Sequence, residues 1–173
     1  AILPSAFYVH PSAGVTGLTN GQLADIYAGR ITNWNQVGGA DQRVRVVTRE
    51  EGDSTLIVLR TTMPRWRDLT ITERANTALT TQEAMESVQR TPGAIGFGPF
   101  TRTLERRYSV LRIDGHYPTE IGYPSRVILA LIWRDQTITP LARAFLAFVG
   151  SQQAAQVIES FGTTSIKKPR EGS

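Results

Sequence analysis

The chain has 173 residues, carries a net charge of +4 from 19 basic and 15 acidic side chains, and contains no cysteine. This length favours one domain with a sizeable core, and the lack of cysteine excludes disulfides, thiolate zinc sites and cysteine nucleophiles. No apolar run approaches the ~20 residues that cross a bilayer. The first ten residues lack the charged segment and long apolar core of an export signal, so any such signal was removed or never included.

The first predicted elements are a strand and a helix. Residues 6–10, AFYVH, are apolar and partly aromatic, which is typical of a short strand. Thr19 and Gln22 have the spacing of a capping box, and they predict a helix that ends near Gly29.

A second strand and helix follow a polar connection. Residues 44–47, VRVV, predict the strand, and the apolar stretch after Ser54 predicts a helix that must end by Pro64. Between them lie Arg49 and three carboxylates in a tight turn.

The second half of the sequence continues the alternation. A capping box at Thr80 and Glu83 predicts a third helix. Three further strands are predicted in PGAIGFG, YSVLRI and RVILALIW, and the last is apolar on both faces and therefore expected at the centre of its sheet. Two helices are predicted to start at Thr139 and Ser151, and residues 167–173 are expected to be disordered. Strands alternating with helices predict an α/β layered fold with a largely parallel sheet.

Four phrases in this order carry a family resemblance: LTNGQLADIYAGRITNWNQVGG, RVRVVTREEGDST, ESVQRTPGAIGFG and TPLARAFLAFVGSQQAAQVIESFG. Together they resemble the phosphate-binding proteins of bacterial phosphate ABC transporters, within the periplasmic binding protein-like family. The resemblance covers the chain from about Ala6 to Ile166.

The resemblance implies a three-layer α/β lobe of the type II periplasmic binding protein-like class, with a mixed, mainly parallel sheet. It implies one domain over residues 1–166, with the second lobe at about 1–124 and a C-terminal strand and helices at about 125–166. Compared with the family, the resemblance implies that this sequence lacks the N-terminal lobe. The implied function is an extracytoplasmic receptor, periplasmic or attached to the cell surface, that binds phosphate or a related oxyanion and delivers it to an ABC permease.

The implied ligand-binding residues are Arg49, Asp53, Ser54 and Thr55. In the family an Arg is followed four residues later by Ser-Gly-Thr at the start of a helix. Arg49 and Thr55 match this pattern, whereas Asp53 stands where the family has Ser and Ser54 where it has Gly. A carboxylate therefore replaces a hydroxyl that would donate to the anion.

Two interpretations of Asp53 remain open. Asp is a good N-cap residue, so Asp53 can satisfy the helix amides itself and pair with Arg49 as an internal anion. Alternatively the site is retained, and Asp53 accepts a proton that the ligand brings. Glu50 and Glu51 are expected to point to solvent.

No enzyme, cofactor or metal motif is present, and the histidines His10 and His116 are far apart in the sequence. A cluster of Arg102, Arg106 and Arg107 is most simply a solvated surface, and no nucleic-acid partner is expected. The alternative function is a descendant of a binding protein that acts as a sensor or protein-interaction module. The apolar faces of the last two helices are expected either to cover a lone lobe or to join a missing lobe or a second copy of the chain.

Overall fold

The structure, a computed structural model, describes residues 1–165. Its main sheet has the strand order β4-β3-β5-β1-β6, and β8 also pairs with β1. The strands are β1 Ile2–Val9, β2 Gly17–Leu18, β3 Arg45–Arg49, β4 Asn76–Ala78, β5 Ala94–Pro99, β6 Ser109–Val110, β7 Arg112–Ile113 and β8 Arg126–Ile128. The helices are α1 Asn20–Tyr27, α2 Ser54–Thr62, α3 Thr81–Arg90, α4 Pro140–Val149 and α5 Gln152–Ser160. The predicted disordered tail lies outside the described residues.

The main sheet is mixed, and within the described residues β1 runs opposite to its other strands. β3 is parallel to both β4 and β5, whereas β1 is antiparallel to β5, β6 and β8. A separate parallel pair joins β2 to β7. The predicted α/β class with a mixed, mainly parallel sheet is confirmed.

The sheet separates two apolar cores, as expected for three layers. Helices α1 and α2 cover one face, where the rings of Phe7 and Tyr27 lie 5.4 and 5.0 Å from that of Trp66. Helix α3 covers the other face, where Tyr8 and Val88 are fully buried. Residues that alternate along β1 therefore supply both cores.

The helix starts agree with their predicted caps. Thr19 and Gln22 form the predicted capping box of α1, and the Asp53 carboxylate caps α2. Thr139 and Ser151 accept hydrogen bonds from the amides of Ala142 and Ala154, three residues further on, at α4 and α5. Local side-chain chemistry thus sets the beginning of each of these helices.

The strand predictions are less accurate after residue 108. YSVLRI divides into β6 and β7, which belong to different sheets. RVILALIW forms only the three-residue β8, so the predicted long central strand is wrong. Ile132 and Trp133 are 94% and 51% exposed, because no neighbouring element within residues 1–165 covers the two apolar faces of this stretch.

The two regions of the molecule differ in burial, and we call residues 2–128 the sheet domain and residues 129–161 the C-terminal segment. Helix α4 has no buried residue, and Leu141 and Phe145 are 82% and 55% exposed. The alternative in which the last helices cover the lobe with their apolar faces is therefore not the arrangement found. None of the helices within residues 1–165 is long and apolar enough to cross a membrane.

Candidate functional site

The candidate site lies where β3 and β4 end side by side. Arg49, the last residue of β3, is paired in register with Ala78, the last residue of β4. Helices α2 and α3 begin within a few residues of these strand ends, at Ser54 and Thr81. Carboxyl ends of parallel strands and N-termini of helices meet here, which is the arrangement that holds ligands in open α/β sheets. Helix N-termini present amide donors and a partial positive charge, so the edge favours anions.

Arg49 is almost fully buried at this edge, with 8% of its surface exposed. Its Nε donates to the Ala78 carbonyl at 3.0 Å, one terminal nitrogen donates to Thr81 Oγ1 at 3.0 Å, and the other donates to the Leu79 carbonyl at 3.1 Å. The same terminal nitrogen lies 2.9 Å from Asp53 Oδ2. The guanidinium is therefore held in one orientation by the end of β4, by the start of α3 and by Asp53.

Asp53 occupies the N-terminus of α2 with its own carboxylate. Oδ1 accepts hydrogen bonds from the amides of Thr55 and Leu56, both at 3.0 Å, while Oδ2 pairs with Arg49. The paired side chains of Arg49 and Asp53 are only 7% and 9% exposed. This is the geometry of the internal-anion interpretation, and it uses donors that a bound oxyanion would otherwise take.

Some anion-binding capacity remains beside this ion pair. Thr55 is buried and its amide is used by Asp53, but Ser54 is exposed and, among the described residues, nothing accepts a hydrogen bond from its amide. A carboxylate offers about four lone-pair positions, and the contacts above occupy three of those on Asp53. The structure thus brings the four predicted residues together. It leaves the Ser54 amide as a donor, and one acceptor position on the Asp53 carboxylate, for a ligand.

The neighbouring carboxylates point away from this site, as expected. Glu50 is exposed, and Glu51 pairs with Arg60 at 2.8 Å while remaining 73% exposed. Thr81 was not predicted as a site residue, although it holds the Arg49 guanidinium. The Thr80 capping box marked this helix start, but only the pairing of β3 with β4 brings it next to Arg49.

A buried tyrosine packs behind the ion pair. Burial raises the pKa of Tyr8, and the nearby Tyr108 adds to the effect, so its hydroxyl stays protonated and adds no charge. The two histidines take no part: His10 Nδ1 lies 2.7 Å from Ser12 Oγ, and His116 packs against Gly122. Within residues 1–165 no cluster of His, Asp and Glu is suited to hold a metal ion.

A family model described as the PBP superfamily domain matches residues 3–153. The chain belongs to this family. The Phosphate-binding protein PstS of Bacillus subtilis is 30% identical in an alignment of 173 positions that covers 91% of this chain and 53% of that protein. The protein of the same name from Borreliella burgdorferi is 23% identical over 93% of this chain and 62% of its own length. The chain thus spans between about half and three fifths of these curated relatives.

Solved structures of the PBP superfamily share the fold. A protein from Clostridium perfringens, assigned to phosphate ABC transporters and solved with bound phosphate, has a TM-score of 0.84 at 23% identity and matches 96% of this chain and 70% of its own. An ABC-type phosphate transport receptor from Vibrio cholerae has a TM-score of 0.70 at 27% identity, over 96% of this chain and 71% of its own. Both matches include the C-terminal segment, so its helices are a shared feature of the fold.

Proposed function

We propose that residues 1–166 form the anion-binding domain of an extracytoplasmic solute receptor, which binds phosphate or a related oxyanion for an ABC permease and catalyses no reaction. The observation that supports this most directly is the edge where α2 and α3 begin beside the buried Arg49, in a chain whose relatives are named phosphate-binding proteins. The site residues are Arg49, Asp53, Ser54 and Thr55. Further ligands of the anion come from a second lobe or a second copy of the chain.

In this proposal Asp53 makes the site selective for an anion that carries a proton. Arg49 and the α2 amides neutralise the carboxylate, and its remaining acceptor position takes the P–OH hydrogen of hydrogen phosphate. Sulfate has no proton at neutral pH, so one of its oxygens would contact an Asp53 carboxylate oxygen without a hydrogen bond between them. At an intermediate dielectric such a contact costs on the order of a few kcal/mol.

Isothermal calorimetry with phosphate and sulfate tests this site, and Ser54→Asp is the most informative variant. Ser54 is the exposed first residue of α2. A carboxylate added there is stabilised by the helix dipole but repels an oxyanion. We expect saturable phosphate binding that Ser54→Asp weakens at least ~10-fold. Gln152→Asp, the same charge change at the first residue of α5, should leave binding unchanged. Absence of heat with any oxyanion, or equal losses in the two variants, would contradict the proposal.

Asp53→Ser tests the role of the carboxylate separately. Ser also caps helices well, so α2 is retained while the negative charge is removed. We expect oxyanion binding to strengthen, with a larger gain for sulfate than for phosphate, roughly 100-fold for a removed cost of about 3 kcal/mol. Unchanged binding of both anions would mean that Asp53 does not face the ligand, and weaker binding of sulfate would contradict the repulsion assigned to its carboxylate.

A second function, a sensor or interaction module without a transported ligand, is favoured by the completed Arg49–Asp53 ion pair. In that case Asp53 has replaced the anion, and neither phosphate nor sulfate binds to the native chain. The relatives favour the receptor. The calorimetric experiment distinguishes the two functions, because only the receptor gives saturable heat.

A further inference from the structure

A groove of about 560 Å³ lies at the amino ends of β3 and β4, whereas the Arg49–Asp53 pair lies at their carboxyl ends. It is bounded by the end of α1, the first residues of β3, the approach to β4 and the turn before β5. Its apolar lining includes Ile26, Ile31, Val44 and Val46. The site proposed above uses the carboxyl ends of the strands, so this groove is independent of it.

The groove lies beside a two-residue gap in the pairing of β3. The pairing of β3 with β4 begins only at Val47 and Asn76. The two preceding residues, Arg45 and Val46, are paired with β5 on their other side. Before them, the Val44 amide donates to the Thr32 carbonyl at 2.9 Å and Arg43 bridges Asn33, so only Arg45 and Val46 have no neighbouring strand on the side of β4. Such a gap offers main-chain hydrogen bonds to a short extended stretch of a partner.

The groove also carries an uncompensated positive charge. Arg43, Arg45 and Arg74 line it and are exposed, and within the described residues none of them forms an ion pair. Among the residues that the structure describes, no Asp or Glu lines the groove. Guanidinium groups bind carboxylates through paired hydrogen bonds, so the charge is complementary to an acidic partner.

We propose that this groove binds an extended acidic peptide segment of a partner protein. Carboxylates of the segment contact Arg43, Arg45 and Arg74, an apolar side chain lies on the half-buried Ile31, and its main chain runs beside Arg45 and Val46. A single tetrahedral oxyanion would leave most of the volume and the apolar lining unfilled. The described part of the chain places no aromatic residue in the lining, so the groove offers no stacking platform there for a single-stranded nucleic acid.

Fluorescence anisotropy with a labelled peptide of alternating glutamate and valine tests the proposal on the 173-residue chain. The groove variant carries Arg43→Gln, Arg45→Gln and Arg74→Gln, and the matched control carries Arg102→Gln, Arg106→Gln and Arg107→Gln. Both variants lose three exposed positive charges. We expect the groove variant to weaken binding roughly tenfold and the control less than about twofold, since charged contacts at an exposed site are individually modest.

Hydrogen exchange provides a second readout of the same complex. The peptide should protect the amide of Val46, since those of Val44 and Arg45 already donate to Thr32 and Gly93, and it should leave the amides of residues 102–107 unchanged. Equal weakening in both variants would show attraction by net charge alone and would overturn the proposal. So would a native chain that does not bind the peptide, inorganic phosphate that competes as well as the peptide does, or an oligothymidine that binds more tightly.

Discussion

The sheet domain and the C-terminal segment are built from equally well-marked elements but differ in what covers them. In the sheet domain Phe97 is 1% exposed and its ring lies 5.7 Å from that of Tyr27. In the C-terminal segment Phe145, on a helix with an equally clear cap, is 55% exposed. Caps decide where a helix begins, whereas burial depends on whether another element faces its apolar side.

The exposed large apolar side chains concentrate in the C-terminal segment, where no element within residues 1–165 buries them. Scattered apolar residues are normal on protein surfaces, but contiguous patches mark contacts with another molecule or another part of the protein. Within the C-terminal segment the exposed large apolar residues are Leu129, Leu131, Ile132, Trp133, Leu141, Phe145, Phe148, Val157 and Phe161. Substitutions in the two regions should therefore have very different effects on the free energy of unfolding.

The largest expected difference is between Phe97→Ala and Phe145→Ala. Removing the buried ring leaves a cavity in the aromatic core and should lower the free energy of unfolding by ~3–5 kcal/mol. Removing the exposed ring should change it by less than ~0.5 kcal/mol. Urea denaturation followed by tryptophan fluorescence measures both. If Phe97→Ala does not fold, Phe97→Leu gives a smaller loss, and equal effects at the two positions would contradict the assigned burial.

An intermediate effect is expected for the buried ion pair. Arg49→Ala removes the partner of Asp53 and leaves a carboxylate that is only 9% exposed, so the free energy of unfolding should fall by ~3 kcal/mol. Arg90→Ala breaks the pair with Glu86 on the exposed surface of α3 and should cost less than ~0.5 kcal/mol. Urea denaturation of the two variants gives the comparison. A loss of under 1 kcal/mol for Arg49→Ala would mean that water reaches the pair.

The sequence predicted what depends on neighbouring residues and missed what depends on distant ones. The caps at Thr19 and Asp53 act within one helical turn, so their pattern was sufficient. β4 was not predicted, because Asn76–Ala78 is too short to show a period of two and becomes a strand through its pairing with β3. The strand predicted through Ile132 and Trp133 is wrong for the converse reason. Its local pattern is that of a strand with two apolar faces, but such a strand forms only where other elements cover both faces.

The same distinction limits the prediction of the candidate site. The order of Arg49, Asp53, Ser54 and Thr55 indicated a helix N-terminus with its own carboxylate, and the structure brings these residues together. The contact of Thr81 with Arg49 joins residues 32 positions apart. No local pattern reveals such a contact, because it arises from the register between β3 and β4.

The smallest expected effects come from removing one cap in each region. Thr19→Ala removes the side-chain acceptor for the Gln22 amide and should lower the free energy of unfolding by ~1 kcal/mol, because α1 packs on the sheet. Thr139→Ala removes the equivalent bond to Ala142, but α4 has no buried residue, so fraying of its first turn should change global unfolding by less than ~0.3 kcal/mol. Hydrogen exchange of the amides in each first turn measures this fraying, and urea denaturation measures global stability. If Thr139→Ala cost as much as Thr19→Ala, α4 would be coupled to the sheet domain, and the distinction between the two regions would not hold.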